Sequence, residues 1–165
     1  MCCPDAYDLV KGKANASAVG TLIERTSRLL LVVYLPGPKP SSAATVLQAF
    51  TDKLRSIAQP MRQSLTYDQG SEMARHKELA ANLSVKVYFC DPHSPWQKGS
   101  VKNTNALVRQ YLPKGTDLLG YIQEQLDVIA DEINNGPRKT LNAYSPLEVY
   151  QEMLITYHDA PATIH

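Results

Sequence analysis

Cysteine is scarce: the chain of 165 residues has three, two of them adjacent at Cys2 and Cys3. Three cysteines cannot build a disulfide framework, and no Cys-x-x-Cys or Cys/His spacing suggests zinc. A reducing cytosol is the default compartment. An excess of one charge is also lacking. The net charge is +1, so any basic surface for nucleic acid must be local. No apolar run approaches the length of a membrane span, and LLLVVYL at residues 29–35 is strand-sized. The opening MCCPDAYDLV has no basic region followed by an apolar one, so it does not read as a signal peptide. What is present is a hydrophobic share of 44%, ordinary for a globular protein and enough for one domain with a real core.

Residues 18–35 read as a hairpin, with two β-branched apolar runs flanking the polar turn Glu24-Arg25-Thr26-Ser27-Arg28. A short strand at residues 6–10 lies upstream. PGPKPSS ends the hairpin and supplies an N-cap serine. Val46, Leu47, Phe50, Leu54 and Ile57 then recur at helical spacing over residues 43–57. The pattern continues as a strand at 62–67, a helix at 71–83, a strand at 85–90 and a helix from Gly99 to Pro113. A helix over 116–133 is expected to turn Leu119, Ile122, Leu126, Ile129, Ala130 and Ile133 inward. The last helix opens with a capping box, Ser145 with Glu148, and Pro146 at the first position. The fold class expected is α/β: early antiparallel strands joined by a parallel extension, about five strands covered by helices. The domain is placed at residues 5–155, with tails at 1–4 and 156–165.

Two aspartates stand in or at the ends of predicted strands, Asp8 and Asp68. Carboxylates from neighbouring strands bind a hard divalent cation such as Mg²⁺. The plainer alternatives are a turn residue for Asp68, followed as it is by Gln69-Gly70, and a solvated terminus for Asp8. On the helix after Gly99, Lys98, Lys102, Asn105 and Arg109 share one face, opposite Val101, Val108 and Tyr111 with Leu112 beside them. That polar face is either solvated or turned to phosphate. Trp96 reads as a packing anchor, and His76 and His93 as surface or loop histidines rather than ligands.

TYDQGSEMARH resembles the strand-turn-helix that carries the second aspartate of DDE transposases and retroviral-type integrases. YFCDPHSPWQKGSVKNTNALVRQYLPKGTDL resembles the segment with their last carboxylate, and GTLIERTSRLLLVVYLPG, DEINNGPRKTL and SPLEVY extend the match. The chain is most similar to bacterial insertion-sequence transposases of the IS-thirty type. The resemblance implies a ribonuclease-H-like fold, and an Asp-Asp-Glu triad that holds two divalent ions for phosphodiester hydrolysis and strand transfer. By position, Asp8 matches the first aspartate and Asp68 the second. The glutamate is expected three residues after Gly99 and with thirty-three residues between it and Asp68; both counts reach Lys102.

Lysine has three donors and no acceptor, so it cannot serve as a metal ligand while it is charged. The resemblance thus implies a transposase catalytic core that is impaired, holding one weak Mg²⁺ or Mn²⁺ at Asp8 and Asp68; the alternative is a non-catalytic DNA-binding remnant with the same fold. Rescue by Glu72 is weighed and disfavoured. Other departures are MCCP, Tyr7 and Gly136, and a start at Met1 where relatives carry an upstream DNA-recognition region. Together with Lys102 they suggest a truncated, decaying or misannotated reading frame. The DNA contacts implied are Lys98, Asn105, Arg109, Arg138 and Lys139, with weak, non-specific, salt-sensitive binding. A homo-oligomer, a bacterial cytoplasm and association with the nucleoid when on DNA complete the expectation.

Overall fold

The computed structural model describes residues 5–57, 63–67, 71–90 and 99–159. Strand β1 (Asp5–Lys11) is followed by β2 (Ala18–Ile23) and β3 (Leu30–Leu35), each antiparallel to the one before. The polar turn between β2 and β3 folds around one carboxylate. Glu24 accepts from the Thr26 N–H (3.0 Å), the Ser27 N–H (2.6 Å) and the Ser27 hydroxyl (2.5 Å). Arg28 then takes a left-handed φ of 63° to enter β3.

Helix α1 (Ala43–Arg55) begins where the serine predicts: the Ser42 hydroxyl accepts from the Thr45 N–H at 3.2 Å. Its inward side presents Val46, Phe50 and Leu54, all buried. The Phe50 ring lies directly over Gly20 of β2, where any Cβ would collide with it, and meets the Tyr7 ring edge-on with centroids 4.8 Å apart.

Strands β4 (Ser64–Tyr67) and β5 (Lys86–Phe89) run parallel to β1, giving the sheet order β3-β2-β1-β4-β5. This is the mixed five-stranded sheet expected. Between β4 and β5 the single helix foreseen over 71–83 is broken. A 3-10 turn (Ser71–Met73) precedes helix α2 (His76–Leu83), whose first ring, His76, packs edge-on against Phe89 at 5.1 Å. Helices α1 and α2 cover one face of the sheet, over Tyr7, Leu22, Val33, Leu65 and Tyr67.

The opposite face, over Val10, Val19, Ile23, Leu30 and Val32, is covered by helices α3 (Gly99–Tyr111) and α4 (Gln123–Asn135). Val101, Val108 and Leu112 are buried as foreseen, but Tyr111 is 40% exposed. A hydrogen bond to Glu132 of α4 keeps its phenol protonated above its ordinary range. The helix expected over 116–133 begins seven residues late, at Gln123. The Asp117 carboxylate accepts from the Leu119 N–H at 3.0 Å, a 3-10 turn (Leu118–Gly120) follows, and Tyr121 and Ile122 are extended. This shifts the facing residues: Leu118 is buried, while Leu119 and Ile122 are half out of the core.

Two amides of α4 close the outer edge of β3. Asn134 accepts from the Leu30 N–H and donates to the Leu30 carbonyl, both at 2.8 Å. Gln123 accepts from the Tyr34 N–H (2.8 Å) and donates to the Val32 carbonyl (2.7 Å). Helix α5 (Pro146–Asp159) packs on α4. Its capping box is formed: Glu148 accepts from the Ser145 N–H (2.7 Å), and the Ser145 hydroxyl accepts from the Glu148 N–H (3.2 Å). These bonds hold the Glu148 carboxyl below its ordinary pKa. Among the described residues no helix is long and apolar enough to cross a membrane.

Candidate active site

Side chains alternate along β1. Tyr7 and Leu9 belong to the α1 side and Val10 to the α3 side, so Asp8 faces α3. Its carboxylate is at the surface, and both oxygens accept hydrogen bonds. Oδ1 takes the Leu9 N–H at 2.8 Å, and Oδ2 takes the Asn105 side-chain amide of α3, also at 2.8 Å. The carbonyl end of the same amide, Asn105 Oδ1, accepts from the Thr21 hydroxyl at 2.9 Å. Thr21 is fully buried in β2 and pairs directly with Asp8 across the sheet ladder. Its hydroxyl also lies 3.3 Å from the Asp8 carbonyl.

The rotation of α3 is set by its apolar stripe. Val101, Thr104, Val108 and Leu112 are all buried, and each full aliphatic burial contributes about 1.5–3 kcal/mol. With that side fixed, Asn105 reaches Asp8. Lys102, three residues earlier and therefore on the adjoining turn of the same flank, is exposed beside it.

The other expected site residues divide. Asp68 and Lys98 lie outside the described residues, as do Trp96 and His93. Arg109, one turn beyond Asn105, donates to the Lys11 carbonyl (3.0 Å) and the Leu112 carbonyl (3.4 Å). It thus lies at the Lys11 end of β1. Arg138 is elsewhere. Its guanidinium donates to the Ile133 carbonyl at 2.9 Å, closing the C-terminal end of α4, and partial burial lowers its pKa. That end of α4 lies against Leu30, in the row of the sheet that contains Ile23 and Ala6, away from the Lys11 row. Lys139 follows it, exposed, in a 3-10 turn (Lys139–Leu141). Glu72 sits on the α1 side of the sheet, in a cleft with Ala43, Leu47, Met73 and His76. Asp8 faces the other side, so Glu72 is poorly placed to replace a ligand on the flank of α3.

Tyr7, a departure from the family pattern, is a core residue. Its hydroxyl is buried with no partner among the described residues. Burial first, and then the negative charges of Glu72 and Asp8, push its ionisation far above the ordinary phenol range.

As a cation site the described residues offer little. No group of three or more His, Cys, Asp or Glu among them could hold a metal. Asp8 is an oxygen ligand of the right chemistry. Lys102, on the same flank of α3 as Asn105, is not a ligand at all while charged. Thr21 was missed from sequence, yet a signal existed. Val19 and Ile23 face the α3 core, and a threonine between them breaks an otherwise apolar alternation.

Comparison with known proteins bears on this arrangement. Residues 3–95 match the integrase core domain family. The transposase for insertion sequence element IS1086 of Cupriavidus metallidurans is 60% identical over 147 residues, which are 89% of this chain and 42% of the relative. Transposase InsI for insertion sequence element IS30A of Escherichia coli (strain K12) is 49% identical over 144 residues, 87% of this chain and 37% of the relative. The chain therefore spans less than half the length of these curated relatives. Among solved structures, the catalytic core domain of BIV integrase superposes with a TM-score of 0.70 at 16% identity, covering 96% of this chain and all of that one. A chain of the simian T-cell lymphotropic virus intasome in complex with PP2A regulatory subunit B56 gamma gives 0.66 at 13% identity, over 100% of this chain and 58% of that one. These likenesses establish the fold as that of retroviral integrase cores, the ribonuclease-H-like α/β layout.

Proposed function

Because the chain belongs to the integrase core domain family, we propose that it is the catalytic core of an insertion-sequence transposase whose metal-dependent hydrolysis and joining of DNA strands is impaired by Lys102. Membership implies dependence on a divalent cation and DNA as the partner. The chemistry such a cation supplies is activation of the attacking oxygen and stabilisation of the leaving one. In this reading Asp8 and Asp68 hold a single ion weakly, and Lys102 occupies the position of the third carboxylate. An ammonium group there removes a ligand and adds a like charge. At ~4 Å a pair of unit charges interacts by roughly 4 kcal/mol at an effective dielectric near 20, which is several powers of ten in affinity if the geometry is close.

The observation that carries the reading is the bond from Asn105 to Asp8, because it brings the flank of α3 that bears residue 102 to the first carboxylate. Lys98, Lys102 and Arg109 are assigned to phosphate contacts. Asn105 is already committed to Asp8, and Arg138 and Lys139 belong to a separate contact region. Since one of these cations stands in the metal site itself, weak DNA binding should be insensitive to chelation and should fall with salt.

The test compares the chain with Lys102→Glu for Mn²⁺ binding by calorimetry and for cleavage of terminal-repeat DNA. Tighter Mn²⁺ binding and cleavage only in the variant are expected. Equal metal-dependent cleavage by both would mean another residue completes the site. The second reading, a DNA-binding remnant, is favoured by Lys102 itself. It predicts chelator-insensitive DNA binding by both proteins and cleavage by neither.

A further inference from the structure

We propose that Thr21 is a positioning residue for Asp8, acting through the Asn105 amide. The inference rests on the reading of Asp8 as a metal-binding carboxylate, and adds to it a residue on β2 that touches neither metal nor DNA.

A primary amide has two chemically opposite ends, two donors on nitrogen and an acceptor on oxygen. Only one orientation suits a carboxylate neighbour. With Nδ2 towards Asp8 the contact is a charge-assisted hydrogen bond. With Oδ1 towards Asp8, two acceptors face each other. The exposed carboxylate alone favours the first orientation but does not fix the amide plane, because its side chain can rotate with the amide. The Thr21 hydroxyl supplies the second anchor. It donates to Asn105 Oδ1 at 2.9 Å, against 3.3 Å to its other acceptor, the Asp8 carbonyl. Thr21 itself cannot wander: it is fully buried, β-branched and in ladder register with Asp8.

The result is a closed circuit. The backbone ladder fixes Thr21 relative to Asp8, Thr21 fixes the amide, and the amide fixes Asp8 Oδ2. The Leu9 N–H holds Oδ1 from the other side at 2.8 Å. The Asp8 carboxylate is thereby oriented from both sides, the arrangement by which outer hydrogen bonds orient metal ligands generally.

The experiment uses the full chain, with Thr21→Val and Thr21→Ser. Valine keeps the shape and the strand preference and loses only the hydroxyl; serine keeps the hydroxyl. The Asn105 side-chain amide is followed by ¹H–¹⁵N NMR, and Mn²⁺ affinity by calorimetry and by paramagnetic broadening at Asp8, in both the Lys102 and the Lys102→Glu backgrounds. The expected result is loss of the protected Asn105 amide signal in Thr21→Val, a fall in Mn²⁺ affinity of about tenfold or more, and retention of both properties in Thr21→Ser. Unchanged amide protection and unchanged Mn²⁺ affinity in a folded Thr21→Val would overturn the proposal. Equal losses in Thr21→Ser would also overturn it, since packing rather than the hydroxyl would then be responsible. Absence of any Mn²⁺ broadening at Asp8 in both parent backgrounds would instead reject the metal reading, and with it the function assigned to the circuit.

Discussion

Asn105 Nδ2 stands 2.8 Å from Asp8 Oδ2, and this contact ties α3 to β1. Truncating it in Asn105→Ala removes a hydrogen bond to a charged but exposed acceptor, so a loss of about 1 kcal/mol is expected. Asn105→Asp would set a second carboxylate against Asp8. A larger loss is expected at neutral pH, with partial recovery on adding Mg²⁺. Urea unfolding with and without the ion checks both.

Gly20 is required by the ring above it. A Cβ at this position would collide with Phe50 Cζ and come within 2.8 Å of Cε2. Gly20→Ala should therefore cost about 1–3 kcal/mol through overpacking. Phe50→Leu in the same chain should return part of that loss, so the two changes should be non-additive in a double-mutant cycle.

Asn134→Leu is the sharper test of how α4 is held to the sheet. It strips partners from the N–H and the carbonyl of Leu30, a residue with no exposure. At ~1–3 kcal/mol for each orphaned buried group, a loss of about 2–4 kcal/mol is expected. Gln123→Leu should cost less, because Gln123 is only half-buried. The unfolding midpoints of the two variants rank them.

Much of this was written in local pattern. Ser42, the Glu24–Arg28 turn and the Ser145/Glu148 box each act within a few residues, so their outcome is visible in the string of letters. The sheet followed from apolar runs of strand length. The failures are equally physical. Leu119 and Ile122 had helical spacing, but the Asp117 side chain bonding to the Leu119 N–H made a turn instead. The polar stripe holding Asn105 reads from sequence as solvated or phosphate-facing, and its bond to Asp8 is not visible there because that partner is 97 residues away. Thr21 and Asn134 have the same character: their roles exist only once register and helix placement are fixed.

Alkaline stability should report on Tyr67. Burial pushes its phenol up to about 12, above the value near 10 of an unfolded chain. A raised folded-state pKa stabilises fully below the unfolded value and loses that contribution as pH rises through the folded one. Stability should thus fall from about pH 10 to 12, and Tyr67→Phe should reduce the slope of this limb, leaving the share that Tyr7 contributes. At pH 7 the variant should differ by less than about 1 kcal/mol, because the hydroxyl has no partner among the described residues. Urea midpoints across the alkaline range decide it.

The amides of Gln123 and Asn134 have a wider effect. At Leu30, Val32 and Tyr34 they take the hydrogen-bonding positions that a sixth strand would need. A neighbouring chain cannot zip onto this rim without first prising α4 away. Of the two edges of the sheet, β3 and β5, it is the β3 edge that is closed to edge-to-edge pairing in this way.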